Sequence, residues 1–264
     1  MERETTMRKI WNVISPVIVL FVLYFGVIYG GMILASGLSS KPLDDTMGKY
    51  FSIVVAVALV IITIVEYLCF FKKDYVVQDR LLYRKPVYFA VLFILGAAFS
   101  HGLNLLVSLF NINGIFGDYQ AVENEIFAPG VVLVIIRALI LAPIAEELVF
   151  RGLVFRRMKG YTNFWIAAVV SSVLFGLYHM NLAQGIYAFL FGILLCLVYR
   201  AFENLFAPIM LHFSANLLSV ILTYTKAAYP SQTVYIISMV VMFLISAAVY
   251  LFVIRKIPSK KNVG

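Results

Sequence analysis

Three short patterns place reactive side chains at helical spacing inside sequence that is otherwise apolar. Residues 142–152 read Ala-Pro-Ile-Ala-Glu-Glu-Leu-Val-Phe-Arg-Gly. Glu147 and Arg151 are four apart and so share one helix face, where a charge-assisted pair lowers the cost of both. Glu146 is turned about 100° from Glu147 and cannot share that geometry equally well. It is the candidate for a free carboxylate in a water-filled cavity. Phe175 and His179 are again four apart, as are His212 and Asn216, so an imidazole and a carboxamide project together. Pro143 and Pro208 lie just upstream of two of these patterns, and each removes a backbone donor that would otherwise hold the helix straight. Taken singly, each pattern has a plainer reading: charges at a membrane face, or a histidine bonded to a backbone carbonyl. Taken together, they supply a base, two imidazoles and an amide donor from separate segments.

The elements that position these groups must lie in lipid. The chain has 264 residues, of which 63% are apolar and only 13% charged, with a mean hydropathy of +0.97. A water-soluble domain is nearer half apolar and a quarter charged. Too few ionisable groups exist to cover a surface in water, which excludes a secreted module, a soluble enzyme and a disordered tail. Ionisable residues inside a span are costly and mark function by default. All three histidines (His101, His179, His212) and the acids Glu66, Glu146 and Glu147 fall in such segments. His101 and Glu66 join no constellation and read as packing or gating groups. Cys69 and Cys196 lie in apolar runs and form no disulfide framework.

Crossing about 30 Å of hydrocarbon takes roughly 20 apolar residues. Eight stretches qualify, at about 10–36, 50–71, 87–110, 128–150, 163–181, 184–200, 205–225 and 232–254. The fold expected is therefore all-α: a polytopic membrane protein, an eight-helix transmembrane bundle with an intramembrane cavity. No repeat or linker divides it, so residues 1–264 read as one membrane domain. The first stretch is too long for a signal-peptide core and reads as a retained anchor.

Lys and Arg concentrate in cytoplasmic loops. With the N-terminus inside, that side receives sixteen of them: Arg3, Arg8, Lys9, Lys72, Lys73, Arg80, Arg84, Lys85, Arg156, Arg157, Lys159, Arg200, Arg255, Lys256, Lys260 and Lys261. Only Lys41, Lys49 and Lys226 fall outside, while Arg137 and Arg151 lie in or near the fourth span. Both termini are thus expected in the cytoplasm, in the plasma membrane. The excess of basic residues is orientation charge with an affinity for anionic lipid, not a nucleic-acid footprint. The loop 111–127, with Asp118, Glu123 and Glu125, suits the outside. Gly26 and Gly30 form a small-xxx-small pair that predicts close helix packing.

Glu146-Glu147-x-x-x-Arg151, then Phe175-x-x-x-His179, then His212-x-x-x-Asn216 resembles the three-motif signature of the CPBP (Abi) family, the CAAX prenyl proteases and bacteriocin-processing or self-immunity proteins. The resemblance covers about residues 128–220. It implies an eight-helix intramembrane core and an intramembrane endopeptidase acting on a membrane-associated peptide or protein. Glu146, His179, His212 and Asn216 would be catalytic, with Glu147, Arg151 and Phe175 in support.

Peptide hydrolysis suits these groups: a base takes a proton from water, and donors meet the developing oxyanion. Glu146 and His179 fit the first task, His212 and Asn216 the second. The same Glu146, His179 and His212 also describe a catalytic zinc site with one open position. The reading favoured here requires no metal, with zinc as its alternative. A non-catalytic interaction or bacteriocin self-immunity protein on the same fold is the rival function, and a proton-coupled transporter a more distant one. The oligomeric state is left open.

One expectation is geometric. At 1.5 Å per residue, His179 would lie about 24 Å from the inner face and His212 about 10 Å. For a single site, the fourth helix must run on toward Met158 and the fifth must tilt or start later than residue 163.

Overall fold

The computed structural model describes residues 5–40, 42–74, 87–109, 131–225 and 229–256. Arg3, Lys41, Arg80, Arg84, Lys85, the acidic loop 111–127, Lys226 and the tail beyond Lys256 lie outside those residues. Eight helices and no strand occur among the described residues. They are α1 (Thr6–Ser39), α2 (43–74), α3 (Val87–Leu109), α4 (131–161), α5 (Phe164–Tyr178), α6 (Leu182–Phe202), α7 (Phe206–Thr225) and α8 (Gln232–Lys256). The protein is a polytopic all-α membrane protein, as its composition requires.

Six of the eight are long and apolar enough to cross a bilayer: α1, α2 from Tyr50, α3, α6, α7 and α8. The other two carry much of the site. Helix α5 has 15 residues, or about 22 Å, which is short of the ~30 Å hydrocarbon core. Helix α4 is continuous but wound in alternation, with π-helical turns at Ile135–Leu141 and Leu148–Phe155. Pro143 sits at the second position of the α-helical piece Ala142–Glu147. It has no N–H for the carbonyl one turn back and its ring crowds that carbonyl. Widening into a π turn immediately upstream relieves both problems.

The depth problem resolves through α4. Glu146 lies fifteen residues from Tyr161, the last residue of α4, and His179 fifteen residues from Phe164, the first of α5. Both are thus about 22 Å from the α4–α5 turn, at one level. That turn is short: Asn163 Oδ1 accepts the Ile166 N–H at 3.0 Å and caps α5. Helix α7 begins much nearer the site, because Leu205, just ahead of it, lies against Gly152. The α4–α5 hairpin therefore projects roughly 12 Å past the start of α7. Helix α5 starts at 164, as the sequence places it, so the anticipated later start is not needed. The extension of α4 to Tyr161, beyond the expected end near 150, levels the site.

The projecting end gathers basic residues. Arg157 donates to Asp74 at 2.6 Å and to the Asn12 carbonyl at 2.5 Å, tying α4 to α2 and α1. Lys9 lies over the Tyr161 ring and Arg200 over that of Phe164. Trp11 and Trp165, the chain's two tryptophans, are exposed at this end, as interfacial anchors are.

Glycines decide where helices close up, and the pair singled out by spacing is not among them. A Cβ at Gly26 or Gly30 would meet nothing within 4 Å among the described residues, so that pair faces open space. Tight approaches include Gly96, where a methyl group would overlap Ser214 Oγ and the Leu211 carbonyl, and Gly176, where it would come within 2.6 Å of the Gly185 carbonyl. Gly96 thus holds α3 against α7 beside His212. His101 latches α3 to the segment before α8 through the Tyr229 hydroxyl, a packing role. Glu66 is fully buried, and neither of its oxygens has a hydrogen-bond partner among the described residues.

Replacing Gly96 by Val should cost about 1–3 kcal/mol through overpacking against backbone, read as a lower unfolding temperature in detergent. Gly26→Val, which enters open space, should leave that temperature unchanged; equal effects would contradict the packing described.

Candidate active site

The two acids of the first motif have different surroundings. Glu147 is fully buried, and one oxygen, Oε1, accepts from both Arg151 Nη1 at 2.9 Å and His212 Nδ1 at 2.8 Å. The i,i+4 pair read from the sequence is present, and the histidine on it comes from another helix. The Arg151 guanidinium lies over the Phe175 ring, 4.4 Å from its centroid. Gly192 of α6 makes the space: a Cβ there would come within 2.9 Å of Arg151 Nη2. Fully buried, this cation is thus held by a carboxylate and an aromatic face, the pairing that low dielectric demands.

Glu146 points elsewhere. It accepts no hydrogen bond among the described residues, and His212 Nε2 lies 3.8 Å from its Oε2. That gap is too long for a direct hydrogen bond. Its side chain is 9% exposed, where that of Glu147 has no exposure at all. It is the free carboxylate of the pair.

Each imidazole spends one nitrogen on the scaffold. His179, at the C-terminal cap of α5, donates Nδ1–H to the Phe175 carbonyl at 2.9 Å. His212 donates Nδ1–H to Glu147. Both rings therefore hold Nε2 free, an arrangement that suits a base and equally a metal ligand. The Phe175 ring stands edge-on to both, 4.9 Å from the His179 ring and 6.0 Å from that of His212. Among the described residues no group of three or more His, Cys, Asp or Glu side chains is placed to hold a metal ion. The expected set of Glu146, His179 and His212 is not gathered into one.

Asn216 lies one turn beyond His212 on α7. Its Nδ2 donates to the Ala138 carbonyl, 2.8 Å away, in the first π-helical turn of α4. That bond leaves the second N–H of the amide and the Oδ1 oxygen for other work. The Ser171 hydroxyl similarly bonds the Phe150 carbonyl in the second π turn, at 2.7 Å. The carbonyls of the widened helix thus find side-chain donors.

The structure adds neighbours that the sequence patterns miss. Tyr178, adjacent to His179, packs edge-on against Tyr24 of α1 at 5.8 Å, and both phenols lie within Coulombic reach of Glu146. Arg137, buried in the first π turn of α4, lies within reach of Tyr24. A charge inside the fourth span marks Arg137 in the sequence, and its place beside His179 marks Tyr178. Nothing marks Tyr24, which arrives by tertiary packing alone.

These surroundings predict opposite consequences for the two acids. Removing one partner of a buried ion pair costs about 3–5 kcal/mol, so Arg151→Ala and Glu147→Ala should lower yield and unfolding temperature sharply. Glu146→Gln breaks no hydrogen bond within the protein and should unfold as wild type does. Thermal unfolding of the three variants in one detergent checks this. Destabilisation by Glu146→Gln as large as that by Arg151→Ala would contradict the assignment.

Residues 128–218 match the family profile described as type II CAAX prenyl endopeptidase Rce1-like. The chain is also 32% identical, over 128 residues, to a Bacillus subtilis (strain 168) protein described as "Putative membrane peptidase YdiL". That alignment takes in 48% of this chain and 52% of the relative, so the chain spans about half the length of the curated protein it matches. No solved structure matches the chain. The matched segment carries Glu146, Glu147, Arg151, Phe175, His179, His212 and Asn216, the motifs through which the chain resembles the CPBP family.

Proposed function

We propose that this protein is an intramembrane endopeptidase that hydrolyses peptide bonds of membrane-associated peptides or proteins. The observation that carries the reading is the contrast between two adjacent acids. Glu147 Oε1 is taken by both Arg151 and His212, while Glu146 accepts no hydrogen bond among the described residues and faces His212 Nε2 at 3.8 Å. A carboxylate kept idle beside an oriented imidazole, inside a membrane, is a base awaiting water.

In this mechanism water sits between Glu146 and the free Nε2 of His179. Glu146 takes its proton as the oxygen attacks the scissile carbonyl carbon. The oxygen of the tetrahedral intermediate is met by His212, when its Nε2 carries a proton, and by the second N–H of Asn216. Collapse restores the carbonyl, breaks the C–N bond and returns the proton from Glu146 to the leaving amine. Glu147 and Arg151 act through His212, whose ring they fix, and are positioning residues.

The substrate reading is an amphipathic or lipid-bearing segment, which concentrates at the membrane surface; prenylation is not required. The Lys and Arg distribution supports a plasma-membrane protein with both termini in the cytoplasm. In that orientation the projecting α4–α5 end lies in the inner headgroups, with Lys72, Lys73 and Lys159 toward anionic lipid.

Two measurements test the proposal. Comparing the membrane peptidomes of wild-type and Glu146→Ala cells should reveal a precursor that accumulates only in the variant. A Glu146→Ala protein that keeps the full phenotype with no precursor would identify a non-catalytic interaction protein instead. Processing of that precursor by purified protein should persist in a strong chelator. Stoichiometric zinc lost together with activity would establish the metal alternative.

A further inference from the structure

Two tyrosines outside the three motifs stand near Glu146: Tyr178, which packs on His179 and on Phe150, one turn along α4 from that acid, and Tyr24, which packs on Tyr178. Tyr178 ends α5, and its ring is fixed on several sides by edge or tilted contacts: Phe21 and Tyr24 of α1 at 5.8 Å each, Phe150 at 5.8 Å and His179 at 5.6 Å. Tyr24 is held by Phe25 at 5.6 Å and by Tyr178 itself. The rings are thus immobilised by packing. Their hydroxyls are not: among the described residues neither phenol oxygen has a hydrogen bond, and neither is sealed from solvent. Both tyrosines are half-buried, so each hydroxyl is held on a fixed ring near the idle carboxylate and remains available as a donor.

Asn216 sharpens the point. One of its amide hydrogens is spent on the Ala138 carbonyl, so the donors offered by the three motifs are fewer than their residue types suggest. Hydrolysis develops charge on the carbonyl oxygen, and each preorganised donor at that oxygen is worth a large factor in rate. Rigid rings with unspent O–H groups, in a site sparing of water, have the required properties.

We propose that Tyr178 and Tyr24 are further catalytic residues, a pair of phenolic donors that hydrogen-bond the oxygen of the scissile carbonyl as it becomes an oxyanion at Glu146. The inference rests on the endopeptidase reading. The phenols donate hydrogen bonds and transfer no proton. The bond to the water oxygen forms, the carbonyl π pair moves onto the oxygen held by the phenols, and the water proton resides on Glu146 until the C–N bond breaks and the amine takes it. Tyr24 belongs to α1, outside the family segment, so the first helix would complete the site as well as anchor the chain.

The experiment uses the full chain and its Tyr178→Phe, Tyr24→Phe and Glu146→Ala variants in membranes. The probe is the set of endogenous membrane peptides that accumulate in Glu146→Ala cells, with processing rates followed by mass spectrometry against substrate concentration. Each Phe variant keeps its ring and loses no protein hydrogen bond, so its unfolding temperature should match wild type. Its kcat should fall roughly 100-fold with KM little changed. Phe variants that process at the wild-type rate would overturn the inference and leave the endopeptidase reading standing. A fall in rate matched by a fall in unfolding temperature would assign the tyrosines to packing, which also overturns it. The absence of any precursor in Glu146→Ala membranes would remove the endopeptidase reading, and the inference with it.

Discussion

The site depends on one oxygen. Glu147 Oε1 receives Arg151 from one turn along its own helix and His212 from another helix. In low dielectric, neither ion of the pair survives without the other, since stripping a charge of water costs several kcal/mol. The pair must form wherever the chain folds, and once it has formed, His212 has a single orientation. Catalytic geometry is thus inherited from an electrostatic necessity. The aromatic shell extends it: Phe175 lies under the Arg151 guanidinium and stands nearly perpendicular to both imidazoles, so one ring stabilises a cation and spaces two bases.

Winding α4 partly as a π-helix is what makes the surroundings fit. A wider turn leaves backbone carbonyls that neighbouring helices must satisfy, because lipid offers no water to do it. Asn216 answers for Ala138 and Ser171 for Phe150. The same bonds register α7 and α5 against α4, bringing His212 and His179 to the level of Glu146. Gly192 then admits the Arg151 guanidinium, and Gly96 lets α3 back α7 directly.

Much of this was legible in the residues. Eight apolar runs become eight helices, and the limits expected for α3, α7 and α8 lie within a residue or two of those observed. The end of α4 was not, because Arg156, Arg157 and Lys159 read as loop charge when a span is judged by apolarity. They belong to a helix that continues out of the hydrocarbon. Helical spacing gave the Glu147–Arg151 pair, since i,i+4 contacts are local. The bond from Glu147 to His212 crosses 65 residues, and no spacing rule reaches that far. Glycine spacing misled for a similar reason: Gly26 and Gly30 have the pattern, but whether a neighbour arrives depends on the fold. Gly96, Gly176 and Gly192 pack closely without belonging to a Gly-xxx-Gly pair.

The polar groups of the site divide into two sets, and the division carries the functional argument. Arg151 Nη1, Glu147 Oε1, the Nδ1 atoms of both histidines and the Asn216 amide are each bonded within the scaffold. The Glu146 carboxylate, the two Nε2 atoms and the hydroxyls of Tyr24 and Tyr178 are not. Stability alone would not leave such groups idle together, because every unmade hydrogen bond in a water-poor interior is costly. Idle polar atoms also occur at Glu66, at Glu147 Oε2 and at Arg151 Nε and Nη2, all of them sealed inside the protein. What sets the Glu146 carboxylate apart is that it keeps some exposure while standing 3.8 Å from an oriented imidazole. A scaffold that spends hydrogen bonds to orient side chains, and then withholds partners from their far ends, is built to make those bonds with something that arrives later.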